Sequence, residues 1–215
     1  MSGPDEPSQS SPVSPGRGSR EGTPGRGRVL ELDATVISRL LHQLDERVRS
    51  RGVAASLYVV GGAAVLAATG LRRVTRDVDV THLHPVVAEE ARRLAQDEGL
   101  PADWLSSAAG AWAPPGRGEE PAAAEPGLTV RYASAEELLA MKMLALRSRD
   151  APDIVALVEE LVLQGAPPER FEALLHQVYP DDSALALLLG VRDDDLDREV
   201  LAVAEAVYRL TTATA

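Results

Sequence analysis

The sequence predicts an α+β fold, a small mixed sheet flanked by helices and continued by a C-terminal helical region. Three observations carry that reading. Between residues 57 and 132, short runs rich in Val, Thr and Tyr (LYVV, DVDVTHL, LTVRY) are separated by helix-patterned segments. Beyond residue 133 every apolar repeat has helical spacing. Apolar residues make up 45% of the chain but aromatic ones only 3%, so the core is built from Ala, Val and Leu, with many small side chains that suit packed helices.

Residues 1–28 are Pro, Ser, Gly and Arg with almost nothing apolar. Such a stretch cannot offset the entropy of ordering, and a disordered tail is expected. From Asp33, a natural N-cap, Val36, Ile37, Leu40, Leu41, Leu44 and Val48 recur at helical spacing. LYVVGGAAVLAATG, 57–70, reads as strand, tight turn and short helix closed by Gly70. DVDVTHL, 77–83, alternates charged and apolar residues as a second strand, and 85–99 is an amphipathic helix opened by proline and closed by glycine. PADWLSSAA is expected to form a helical turn, 111–127 a long Pro/Gly/Glu-rich loop, and LTVRY, 128–132, a third strand. Helices follow over 134–148, 151–164, 168–178, 183–189 and 194–210. The expected organisation is thus a tail, 1–28, an α/β core, 29–133, and a helical region, 134–215, that completes the site.

Several function classes drop out. A chain of 215 residues suits one domain plus an extension. Without cysteine there are no disulfides, thiolate metal sites or thiol nucleophiles, which fits a reducing cytoplasm. No long apolar run and no apolar leader is present, so a cytoplasmic protein with no membrane partner is expected. The net charge of −11 opposes broad attraction to nucleic acid, although Arg72, Arg73 and Arg76 form a local basic group. There is no Walker lysine, Rossmann fingerprint, Ser-His-Asp order or EF-hand loop. The run Asp193–Asp195 reads as a helix start.

Two features of the α/β part bear chemistry. Gly61-Gly62 stands where a strand turns into a helix; the backbone there can approach a ligand closely, and the first-turn amides favour phosphate oxygens. A plain tight turn would look the same. Asp77 and Asp79 are two apart on the predicted second strand, which puts both carboxylates on one face with Cα atoms roughly 6.5–7 Å apart. That pair suits a hard divalent ion such as Mg²⁺, and equally a solvated acidic edge. Occurring together and in this order, they are what nucleotidyl transfer needs: amides for a triphosphate and acids for its metal.

The helical region adds a cation. Of 22 basic residues, Lys142 is the only lysine. Ser134 and Glu137 form a capping box that starts its helix, and from Leu138 a rotation of about 100° per residue sets Lys142 at about 40°, inside the apolar arc. It either snorkels from the core or serves a confined phosphate pocket, for which a compact ammonium is suited. Asp150 and Asp153 flank Ala-Pro as an ideal helix start; capping accounts for Asp150, whereas Asp153 is open to either role. His82 and His84 are a metal pair or a polar strand exit, and Trp104 and Trp112 are base-stacking residues or core anchors.

GGAAVLAATGLRRVTRDVDV, with the later Lys142 and Arg149-Asp150-x-x-Asp153, resembles the motifs of the nucleotidyltransferase superfamily, in its AbiEii/MenT-like branch of toxin–antitoxin and phage-defence proteins. The likeness covers about residues 57–82 and 134–160. It implies a nucleotidyltransferase-like fold and Mg²⁺ (or Mn²⁺)-dependent transfer of a nucleotidyl group from an NTP to a hydroxyl of RNA, such as tRNA, or of a protein. A cognate antitoxin is the implied partner. By the same resemblance Gly61, Gly62, Arg73, Thr75, Arg76 and Lys142 bind nucleotide, Asp77 and Asp79 hold metal and catalyse with Lys142, and Asp153, with Asp150 as the alternative, is a further catalytic acid. One departure stands out: LTVRY offers Arg131 where many members of the superfamily carry a third strand carboxylate. The alternative is therefore a catalytically impaired protein of this fold that acts as a binding or regulatory module for a partner protein.

Overall fold

The computed structural model describes residues 31–71, 73–117 and 124–213. The 1–28 tail, Arg72 and residues 118–123 of the long loop lie outside the described residues. Helix α1, Ala34–Ser50, starts where the Asp33 carboxylate accepts a 2.8 Å hydrogen bond from the Val36 amide, and it buries Ile37, Leu40, Leu41, Leu44 and Val48. Strand β1, Ala54–Val60, runs without an intervening turn into helix α2, Gly61–Thr69. Gly61 itself has φ 64°, a left-handed value that favours glycine.

Strand β2 is only Val78–Val80, antiparallel to β1 with Val59 opposite Val80 and Val60 opposite Asp79. It is shorter than the predicted 77–83 because both flanks are committed elsewhere. On one side Thr75 bridges Leu32 through two 2.8 Å backbone hydrogen bonds. On the other, His84 caps helix α3, Pro85–Glu98, its Nδ1 accepting from the Val86 amide at 3.2 Å. Asp77 therefore precedes the strand, and the histidines stand at a strand exit.

The segment read as a helical turn contains strand β3, Leu105–Ser106, which pairs in parallel with β2. Two residues are too few to show a period, and tertiary pairing decides the conformation. Trp104 anchors it: its carbonyl accepts from Val78 N at 2.7 Å and its indole donates to Ala91 O at 3.0 Å. Strand β4, Gly127–Tyr132, lies parallel to β1 on the other side, in register from Ala54–Gly127 to Val59–Tyr132. Asp45 of α1 secures that register by accepting from Leu128 N at 2.7 Å. The sheet order is β3-β2-β1-β4.

Ser134 and Glu137 make the expected capping box at the start of α4, Ala135–Ala145. This helix and α5, Ala151–Glu160, end earlier than their apolar patterns suggest, because Leu146 (φ 36°) and Val162 (φ 53°) take left-handed conformations. A 3-10 turn, Ser148–Asp150, joins the two helices. Helices α6, Pro168–Val178, α7, Asp182–Leu189, and α8, Leu196–Thr212, complete the chain, with Asp193–Asp195 as a 3-10 turn leading into α8. Helix α2 packs against both α4 and α5, so one continuous apolar core runs from Leu32 to Val207. No described helix is long and apolar enough to cross a membrane.

Candidate functional site

The site begins at the junction of β1 and α2, and its tightness explains both glycines. A Cβ on Gly61 would stand 2.8 Å from Asp79 Oδ2, and one on Gly62 would stand 2.7 Å from Thr75 Oγ1. Any larger residue would push away the acid or the hydroxyl. The antiparallel register sets Asp79 opposite Val60, and the Leu32 bridge holds Thr75. Val60, at the N-cap of α2, makes no side-chain cap, and among the described residues the first-turn amides keep donors for an anion.

Asp79 is partly buried, and Ser106 of β3 donates to its Oδ1 at 3.0 Å. Burial, then the charge of Asp77, raise its pKa above the ordinary carboxylate value; the Ser106 hydrogen bond and the cations Lys142 and Arg149 oppose the rise. Asp77 is exposed, just before β2. A divalent cation would relieve the repulsion between the two acids, and two carboxylates with water and phosphate oxygens suit Mg²⁺. Among the described residues no group of three or more His, Asp or Glu side chains converges on a metal position.

Lys142 reaches the same place from α4. Its side chain is 16% exposed, and with Gly61 and Asp79 it lines a cleft of about 100 Å³ whose lining also includes Trp112, Leu138, Met141 and Asp150. The ammonium is already engaged, 2.6 Å from Asp150 Oδ1 and 2.9 Å from Asp153 Oδ2. Asp150 stands at the N-cap position of α5 but makes no side-chain cap there. The capping role read from its sequence is thus replaced by a hydrogen bond to Lys142. Asp153 is buried at 3% exposure and pairs with Lys142 and Arg73.

The structure thus lines one cleft with Gly61, Asp79 and Lys142; Thr75 packs on the adjoining Gly62, and Asp77 lies near enough to Asp79 to affect its ionisation. Arg73 turns to Asp153, and Arg76 is exposed on the approach to β2. Sequence reasoning missed Ser106, which carries no motif and depends on β3 pairing beside Asp79. The two tryptophans separate: Trp104 is a core residue at 1% exposure, whereas Trp112 faces the cleft. Comparison with protein-family models, with curated proteins and with solved structures finds no significant match to this chain.

Proposed function

We propose that this chain is a Mg²⁺-dependent nucleotidyltransferase that moves a nucleotidyl group from an NTP to an acceptor hydroxyl of RNA or protein. The observation that supports it most is the packing of two acid- and hydroxyl-bearing side chains, Asp79 and Thr75, directly onto Gly61 and Gly62, with Lys142 lining the same cleft. In this reading the uncapped amides of α2 and the Lys142 ammonium take phosphate oxygens, and Asp77 and Asp79 hold the metal ion. The metal supplies charge neutralisation for the triphosphate. The acceptor oxygen bonds to the α-phosphorus, the α–β phosphoanhydride bond breaks, pyrophosphate departs and the hydroxyl proton is released. Asp150 and Asp153 position the ammonium, and Thr75 and Ser106 orient the acid strand. The toxin–antitoxin resemblance makes a cognate partner protein part of the proposal.

A second reading keeps the fold and drops the turnover, leaving a module that binds a nucleotide or a partner protein. It is favoured by β4, which carries no carboxylate, and by the two acids that already neutralise Lys142. One incubation separates the two: four α-labelled NTPs with Mg²⁺ and total RNA or cell lysate. Label in RNA or protein, lost in Asp77→Ala/Asp79→Ala, supports the transferase. NTP binding without transfer to either pool supports the module.

A further inference from the structure

The cleft mixes polar groups suited to phosphate and metal (Gly61, Asp79, Lys142) with apolar ones. Leu138, Met141 and Lys142 enter it from one face of α4, whereas Trp112 enters from the separate Gly110–Trp112 turn. We propose that Trp112 is the platform on which the nucleobase of the bound nucleoside triphosphate stacks, an inference that rests on the nucleotide-site reading above. An indole offers a large flat face, and base–aromatic stacking tolerates any base because each has a π-face.

The backbone of Trp112 is held as a platform requires. It ends a 3-10 turn, Gly110–Trp112, whose first residue packs so closely on the Thr81 carbonyl that a Cβ could not be accommodated. The Trp112 carbonyl accepts a 2.7 Å hydrogen bond from the hydroxyl of Tyr179, a residue only 1% exposed at the end of α6. Further along, Arg117 ties the same segment to the buried Glu137 at 2.6 Å. The ring therefore sits on a braced segment, which lowers the ordering cost of binding. At about 100 Å³ the cleft encloses less than a whole nucleotide site, typically about 300–1,000 Å³. Stacking needs one exposed face, and Trp112 is partly exposed. Stacking alone selects no base, so all four NTPs should depend on Trp112.

Calorimetry with Mg·ATP, Mg·GTP, Mg·CTP, Mg·UTP and Mg·tripolyphosphate tests this, on wild type, Trp112→Phe and Trp112→Leu. Leucine keeps an apolar wall without a stacking face, and melting curves check that each variant folds. The expected result is about a tenfold loss of NTP affinity in Trp112→Leu. Tripolyphosphate affinity should be unchanged in all three proteins, Trp112→Phe should bind NTPs within about threefold of wild type, and NTP but not tripolyphosphate should quench wild-type tryptophan fluorescence. If Trp112→Leu leaves NTP affinity unchanged, or lowers NTP and tripolyphosphate alike, the stacking role is overturned while the phosphate site stands. If wild type binds neither NTP nor tripolyphosphate, the nucleotide-site reading fails and takes this inference with it.

Discussion

Lys142 has three N–H donors; before any ligand arrives one is hydrogen-bonded to Asp150, and Asp153 pairs with the ammonium at 2.9 Å. That arrangement explains why a chain that otherwise uses arginine keeps an ammonium here. Arg51 and Arg93 each span Glu89 and Glu90 with a broad planar guanidinium, whereas a compact ammonium on a thin stem suits this less exposed place between two carboxylates and a phosphate oxygen. Breaking a buried pair leaves charge uncompensated, so Lys142→Ala is expected to lower stability by about 3 kcal/mol in denaturant titration, besides weakening NTP binding. Lys142→Arg keeps the charge; it should retain most of the stability and still lose NTP affinity. Asp79 gives the opposite sign. Its folded pKa is raised, so the native state holds the proton more tightly than the unfolded chain, and stability falls as pH rises through the window between the unfolded and the folded pKa. Above that window the charge is a cost, and Asp79→Asn should raise the melting temperature at neutral pH while abolishing metal-dependent NTP binding. Equal or lower melting temperature in that variant would contradict the assignment.

At the scale of elements, the β1–α2 junction and the start of α4 carry the most information. Gly61→Ala places a Cβ against Asp79 and forces a left-handed φ on an L-residue, which costs about 1–2 kcal/mol before any collision is counted. It should lower both stability and Mg·NTP affinity, read by melting and calorimetry. Glu137 joins three elements, accepting from Ser134 N, from Tyr58 of β1 and from Arg117. Burial opposes ionisation, but these three donors hold the carboxyl below its usual range. Its contribution to stability is therefore present above the ordinary Glu value, near 4.3, and is lost as pH falls through the depressed folded value. Glu137→Gln should cost about 1–3 kcal/mol at neutral pH and flatten the acid side of the stability profile.

Most of these elements were legible. Asp33, Ser134 and Gly70 announce helix ends by local chemistry, and the structure uses each one. β3 was not legible, because Leu105 and Ser106 become a strand only by lying beside Val78 and Asp79. Asp150 misled for a related reason: the same residue type satisfies a helix start or a buried lysine, and only the fold chooses.

For the whole molecule, the α/β part and the later helices share one apolar core, in which Leu44, Leu57, Leu139, Leu157 and Val207 are all buried. Unfolding should therefore be a single transition, with tryptophan fluorescence and far-UV circular dichroism coinciding in urea; two separated midpoints would contradict a shared core. The order of motifs along the chain was readable, and so was the apolar arc that carries Lys142. That the helical region would bring Lys142 to the Gly61 and Asp79 cleft was expected from those features; the packing of α2 against α4 that brings it there was not readable. Nor does the net charge of −11 identify an acceptor; it implies only that RNA contact, where it occurs, is local and salt-sensitive. The most direct test of the central claim is calorimetric titration of the wild-type protein with each of the four NTPs in the presence of Mg²⁺. The account predicts saturable binding of at least one NTP, lost when Mg²⁺ is removed and lost in Asp77→Ala/Asp79→Ala; no binding heat with any of the four would contradict it.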